Sequence, residues 1–156
     1  MEFRAAQLRL FRFLIMGLVG APLLTIAADA PSPPRVAALQ ELGTAMKNVN
    51  DELKSSAPQI YIIQVSARQI NKAAQAQYGW FPADTAPQPG LKTAAKTDIW
   101  EHPAEFKAAQ DGFATQATAF MQIAATGDVE KIRLQAKQLS QACSNCHKQF
   151  RREDKH

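Results

Sequence analysis

The last amphipathic segment of this chain carries its only two cysteines on its apolar stripe. Val129, Ile132, Ala136, Leu139, Cys143, Cys146 and Phe150 recur at alternating spacings of three and four, which is one face of a helix. Whatever both thiols hold is therefore pressed against the inside of the fold. Such a stripe must be buried by other elements, and the sequence supplies three more of the same kind. From Arg35 to Leu53 the stripe is Val36, Leu39, Leu42 or Gly43, Met46, Val49 and Leu53. Pro58 is placed to open a second helix in its first turn. Its inner face is Ile60, Ile63, Ala67, Ile70 and Ala74, ending near Gln77. Between Gly79 and Pro103, the residues Pro82, Pro87, Pro89 and Gly90 break regular structure, so this stretch reads as a long crossover loop. Pro103 starts the third helix, with Phe106, Ala109, Phe113, Ala117, Phe120 and Ile123 on one side. Gly127 ends that helix and Asp128 can cap the fourth. Two short connections and one long one predict an all-α, antiparallel four-helix bundle.

The cysteines belong to the pentapeptide Cys143-Ser144-Asn145-Cys146-His147. Cys-x-x-Cys-His is the attachment pattern of a c-type haem. Two thiols three residues apart can add to the two vinyl groups of one porphyrin, and the next residue, His147, can ligate the iron through a ring nitrogen. A redox disulfide would want a strand-helix context, and no strand pattern lies nearby. A zinc site would need a second pair of ligands, and His147 is too close to complete a set with both thiols. The expected cofactor is one haem c, covalently bound through Cys143 and Cys146, with His147 as the metal ligand. Its chemistry decides what the chain is for.

The N-terminus supports this independently. Arg4, Arg9 and Arg12 precede an apolar run from Phe13 to Ile26, and Ala27, Ala28 and Ala30 offer small-residue cleavage sites. The run is about fourteen residues, short for a membrane span. Residues 1–28 therefore read as a signal peptide, residues 29–156 as the bundle domain, and no stable membrane span is expected after cleavage. Haem attachment is extracytoplasmic, so export and the haem motif agree on the bacterial periplasm. Asp29 to Pro34, with three prolines, reads as a flexible leader. Removing residues 1–28 takes away three Arg and one Glu, so the net charge falls from +4 to +2. A charge so small excludes a dedicated nucleic-acid binder.

Across nearly all of residues 29–156 the sequence resembles the cytochrome c′ family. The resemblance is carried by Arg35-x-x-x-Leu39-x-x-Leu42-Gly43, by Trp80-Phe81-Pro82 with Thr85, Pro87 and Gly90, and by Ile99-Trp100-x-x-Pro103-x-x-Phe106. It ends on Cys143-x-x-Cys146-His147-x-x-x-Arg151. Two positions depart from the family's habit: Val36 stands where Gln is common, and Thr97 where Pro is.

The resemblance implies a residue-level site. Leu39 aligns with the position that covers the distal face of the iron, where low-spin relatives carry a Met. Leu has no lone pair to offer, so the implied iron is five-coordinate and open to small diatomic gases such as NO and CO. Arg35 is implied to pair with a haem propionate and Arg151 to flank the axial imidazole. Met46 lies on the same stripe, roughly 10 Å along the helix, and reads as core. Met121 reads as packing filler. His102 sits at a loop end, and His156 at the terminus.

Two functional classes follow, a haem protein that takes up NO or CO and a single-electron carrier serving periplasmic redox partner proteins. The alternative is a six-coordinate, low-spin electron-transfer cytochrome with a Met sixth ligand. A peroxidase-like enzyme would need a distal His or Arg to polarise peroxide, and none is evident on the first helix. The resemblance also implies a homodimer through the first two helices.

Overall fold

Four helices of 17 to 24 residues carry the four stripes: α1 (Pro34–Lys54), α2 (Ile60–Ala76), α4 (Pro103–Thr126) and α5 (Val129–Phe150). The computed structural model describes residues 34–87 and 93–153. Residues 1–28, read above as a signal peptide, most of the stretch read as a leader, Pro89, Gly90 and His156 lie outside the described residues. A single-turn helix, α3 (Asp98–Glu101), precedes α4. No helix among the described residues is long and apolar enough to cross a membrane.

The stripes become one core. Ala45, Val49 and Leu53 of α1 meet Ile63, Ala67, Ile70 and Ala74 of α2, together with Phe113, Ala117, Phe120 and Ala124 of α4 and Ile132, Ala136 and Leu139 of α5. Each helix packs antiparallel on the next: α1 on α2, α2 on α4, α4 on α5. Only α1 and α5, which close the ring, touch each other sparingly.

A ladder of side-chain bonds pins α2 to α4 from end to end. Gln64 Nε2 donates to the Ala124 carbonyl at 3.2 Å and Thr118 Oγ1 to Asn71 Oδ1 at 3.0 Å. At the far end, Gln77 and Gln110 exchange amide-to-carbonyl bonds of 3.1 and 3.2 Å. These bonds fix register along the axis, which apolar packing alone leaves loose. At the other end of the bundle, the Arg133 guanidinium donates to the Leu53 carbonyl and ties α5 to α1.

The local punctuation largely follows the sequence. Gly127 adopts φ 74° to end α4, a left-handed conformation that costs glycine little. Asp128 caps α5 by accepting from the Lys131 N–H at 3.1 Å. Pro58 departs from expectation, because it precedes α2 instead of lying in its first turn. Gln59 is the N-cap, and the Ile63 N–H bonds its carbonyl at 3.3 Å. The Gln59 N–H is taken by Glu52 at 2.8 Å, so the chain turns back toward α1 before the helix begins. The crossover is also more regular than its prolines suggest. It includes single turns of 3-10 helix at Gln77–Gly79 and Ala83–Thr85 as well as α3.

Two substitutions test this packing. Ile132 is fully buried, so Ile132→Ala is expected to cost about 2–5 kcal/mol in denaturant unfolding. Asp128→Ala should cost about 1 kcal/mol through the lost cap. An Ile132→Ala cost well under 1 kcal/mol would contradict the placement of α5 in the core.

Candidate haem site at the end of the bundle

The two cysteines stand where two apolar clusters meet. Cys143 packs against the main core. Cys146, one turn later, packs against a second cluster built on Ile99, Phe106 and Phe150, with Phe81, Ala95, Trp100 and Ala109 around it. The aromatic rings there meet edge to face, the arrangement their quadrupoles favour. Centroids are 5.1 Å apart for Phe81 and Phe106, 5.0 Å for Phe106 and Phe150, and 6.3 Å for Phe81 and Trp100. Trp100 Nε1 donates to the Pro82 carbonyl at 3.1 Å, which closes the crossover loop onto itself.

Through Phe81 the cluster reaches the start of α1. The Arg35 guanidinium lies over the Phe81 ring, 5.4 Å from its centroid, and donates through Nη2 to the Thr85 carbonyl at 3.4 Å. Arg35 is only 5% exposed, and its Nη1 is buried with no hydrogen-bond partner. A buried guanidinium nitrogen left unpaired is costly. A carboxylate such as a porphyrin propionate would satisfy it, so the residues present fit a haem.

Helix register places the remaining residues. From the Arg133–Leu53 contact, fourteen residues back along α1 is Leu39 and fourteen on along α5 is His147, in antiparallel helices. By the same count, Arg35 is level with Arg151. Leu39 lies at the edge of the α1 stripe: at about 100° per residue it falls about 40° beyond Arg35, on the side away from Ala45, and it is 41% exposed. Sequence periodicity places Leu39 on a buried stripe. The structure differs because Leu39 sits on the outer edge of that stripe, and α1 and α5 pack on each other only sparingly.

Burial pushes the Cys143 thiol up to about 11, with Cys146 beside it adding to the effect. Burial also raises the Cys146 pKa. Both are therefore protonated thiols at neutral pH in the unmodified chain. His147 is held below the ordinary imidazole range, first by partial burial and then by the charge of Arg151. That keeps it neutral near pH 7, the form with a lone pair for a metal.

A broad groove between α4 and α5 is lined by Ala108, Gly112, Gln138, Ala142 and Cys146, among others. It includes neither Cys143, His147, Arg35 nor Leu39, so the site residues do not converge there.

A family model described as cytochrome c′ matches residues 32–151. The chain belongs to the cytochrome c′ family. Its cofactor is accordingly a covalent haem c, and it is a haem protein of the gas-binding or electron-carrying kind. Solved cytochromes c′ share its fold. One, described as having an unusual ligand-controlled dimer dissociation, is 21% identical with a TM-score of 0.70, covering 80% of this chain and 99% of its own. The nitric oxide complex of a mutant from Alcaligenes xylosoxidans is 21% identical with a TM-score of 0.67, covering 76% and 91%. A mutant of the Rhodopseudomonas palustris protein is 28% identical with a TM-score of 0.66, covering 76% and 94%. No curated protein sequence matches the chain.

Sequence reasoning missed the physical role of Phe81, Trp100 and Phe150 as one cluster. The available signal was three aromatic residues, Trp80, Phe81 and Trp100, in a stretch otherwise broken by prolines. Such residues rarely sit in a loop without a core of their own.

The thiol environment predicts a reactivity. In folded, haem-free, reduced chain at pH 8, a Cys143 pKa of about 11 against an ordinary 9.0 leaves about 100-fold less thiolate. Iodoacetamide labelling, mapped by peptide mass, should slow at Cys143 by that order relative to urea-unfolded chain. Equal rates in folded and unfolded chain would contradict its burial.

Proposed function

We propose that this is an exported haem c protein whose iron has His147 as its only protein ligand, and which takes up NO or CO and carries single electrons. Leu39 carries this reading. Counted from the Arg133–Leu53 bond it stands near the level of His147, at the edge of the α1 stripe; it is 41% exposed, and its side chain has no atom that can ligate iron. Haem supplies, when bound, an axial position for a diatomic ligand and a one-electron couple. Cys143 and Cys146 would hold it by two thioether bonds. The neutral imidazole of His147 would ligate it, with Arg151 beside that ring. Arg35 would bring its unpaired Nη1 to a propionate. The aliphatic Leu39 gives water or an anion no hydrogen-bond partner, which leaves neutral diatomic molecules favoured.

The same reading places the mature chain in the periplasm, on the strength of residues 1–28. Exposed Lys148 and Arg152, near His147 in sequence, would face acidic redox partners. A homodimer through α1 and α2 would cover Tyr61, which is 74% exposed on α2. One similar structure is described as showing ligand-controlled dimer dissociation, and another is a nitric oxide complex.

Denaturing mass spectrometry of the periplasmic protein should show the cleaved chain plus one haem, and Cys143→Ala or Cys146→Ala should lower the yield of that species. A mass without haem would end the reading. Optical and EPR spectra should be high-spin or spin-mixed, with CO and NO binding the ferrous form without displacing a protein ligand. Leu39→Met should turn the iron low-spin. Met46 instead packs against the main core. A fully low-spin wild type that Met46→Ala converts to high spin would establish the six-coordinate electron carrier instead.

A further inference from the structure

We propose that the segment 93–97 of the crossover is a strap that positions His147, fastened by Lys96; this rests on His147 being the axial ligand. The last carbonyls of a helix have no partner within it. In α5 the His147 carbonyl accepts from the Arg151 N–H, and two of the carbonyls beyond it are met from about 50 residues upstream. Lys96 Nζ donates to the Lys148 carbonyl at 2.9 Å, and the Lys96 N–H donates to the Phe150 carbonyl at 3.0 Å. The Arg152 N–H turns away from the helix to the Ala94 carbonyl at 2.8 Å. Its guanidinium donates to the Thr93 carbonyl. Ala95 and Arg151 pair as an isolated antiparallel bridge. Ala95 also packs against the cluster that contains Phe150.

The bonds meet the turn that carries the imidazole. Cys143, one turn before the imidazole, and Cys146, immediately before it, would tether the porphyrin and pack into the two cores. His147 follows them, and the next carbonyl along the chain is the one Lys96 holds. The thioethers would fix the haem to that stretch of α5, while the strap limits how far the last turn of α5, and His147 with it, can move. Lys96 acts through the backbone of α5 and is a positioning residue. Its ammonium is the side-chain fastening that reaches the carbonyl next to His147, and a substitution can remove it while leaving the backbone pairing in place.

The test uses mature holo-protein. Lys96→Met keeps the aliphatic stem and removes the donor, and Lys96→Arg keeps a donor. Two quantities are read: amide hydrogen exchange at Arg151 and Arg152, and the iron–histidine stretching band by resonance Raman. The band is recorded on the photolysed carbonmonoxy form, in which His147 is the sole axial ligand whatever the resting coordination. Lys96→Met is expected to speed exchange about three- to ten-fold and to shift and broaden the band, with Lys96→Arg restoring both. Faster exchange with an unmoved band would reduce the strap to a helix cap and overturn its positioning role. Unchanged exchange would overturn the strap itself. A low-spin resting wild type would count against five-coordination alone, because the photolysed band still reads the strap.

Discussion

The interface between α2 and α4 determines how far apart α1 and α5 can stand. Helix α1 packs on α2 and α5 packs on α4, while α1 and α5 barely touch. Their separation is therefore transmitted through Ile63, Ala67, Ile70 and Ala74 against Phe113, Ala117, Phe120 and Ala124, and through the bonds from Gln64 to the Gln77–Gln110 pair. Apolar contacts supply most of the stability, and the directional bonds supply the register. With that pair of helices held, the Arg133–Leu53 tie brings Leu39 level with His147. Leu39, 41% exposed, is thereby brought near the height of the imidazole along the bundle axis.

The second consequence is a division of labour along α5. Its first turns are ordinary core, with Ile132 and Leu139 fully buried. Its last turns belong to a smaller aromatic cluster recruited from the crossover. Cys143 and Cys146 fall on the boundary, each against a different cluster. A group bound to both thiols, as proposed for the haem, would fasten the two clusters together. Arg35 shows the cost of that arrangement. Its buried charge is eased by the Thr85 carbonyl and the Phe81 ring, but Nη1 stays unpaired within the polypeptide.

Leu39, Pro58 and Lys96 mark how far the sequence could be read. The helices and their ends were legible because their causes are local. Stripes such as Ile63, Ala67, Ile70 and Ala74 follow the 3.6-residue period. Gly127 and Asp128 act on the turn they occupy, and the thiol and imidazole spacing of Cys143, Cys146 and His147 is a property of five consecutive residues. Pro58 misled because its position relative to α2 is set by the bond from the Gln59 N–H to Glu52, a carboxylate on the preceding helix. Periodicity likewise put Leu39 on a buried stripe, but it falls on the stripe's outer edge, and burial there requires a neighbour that the sparing α1–α5 contact does not supply. The joining of Phe81 to Phe106 and Phe150, the carbonyl found by Lys96, and the meeting of Arg35 with Phe81 depend on segments tens of residues apart. The sequence by itself determined the four helices, their caps and the chemistry that the pentapeptide can support. The tertiary structure alone decided what faces that pentapeptide, because distance between helices is a sum over packed interfaces that no single segment encodes.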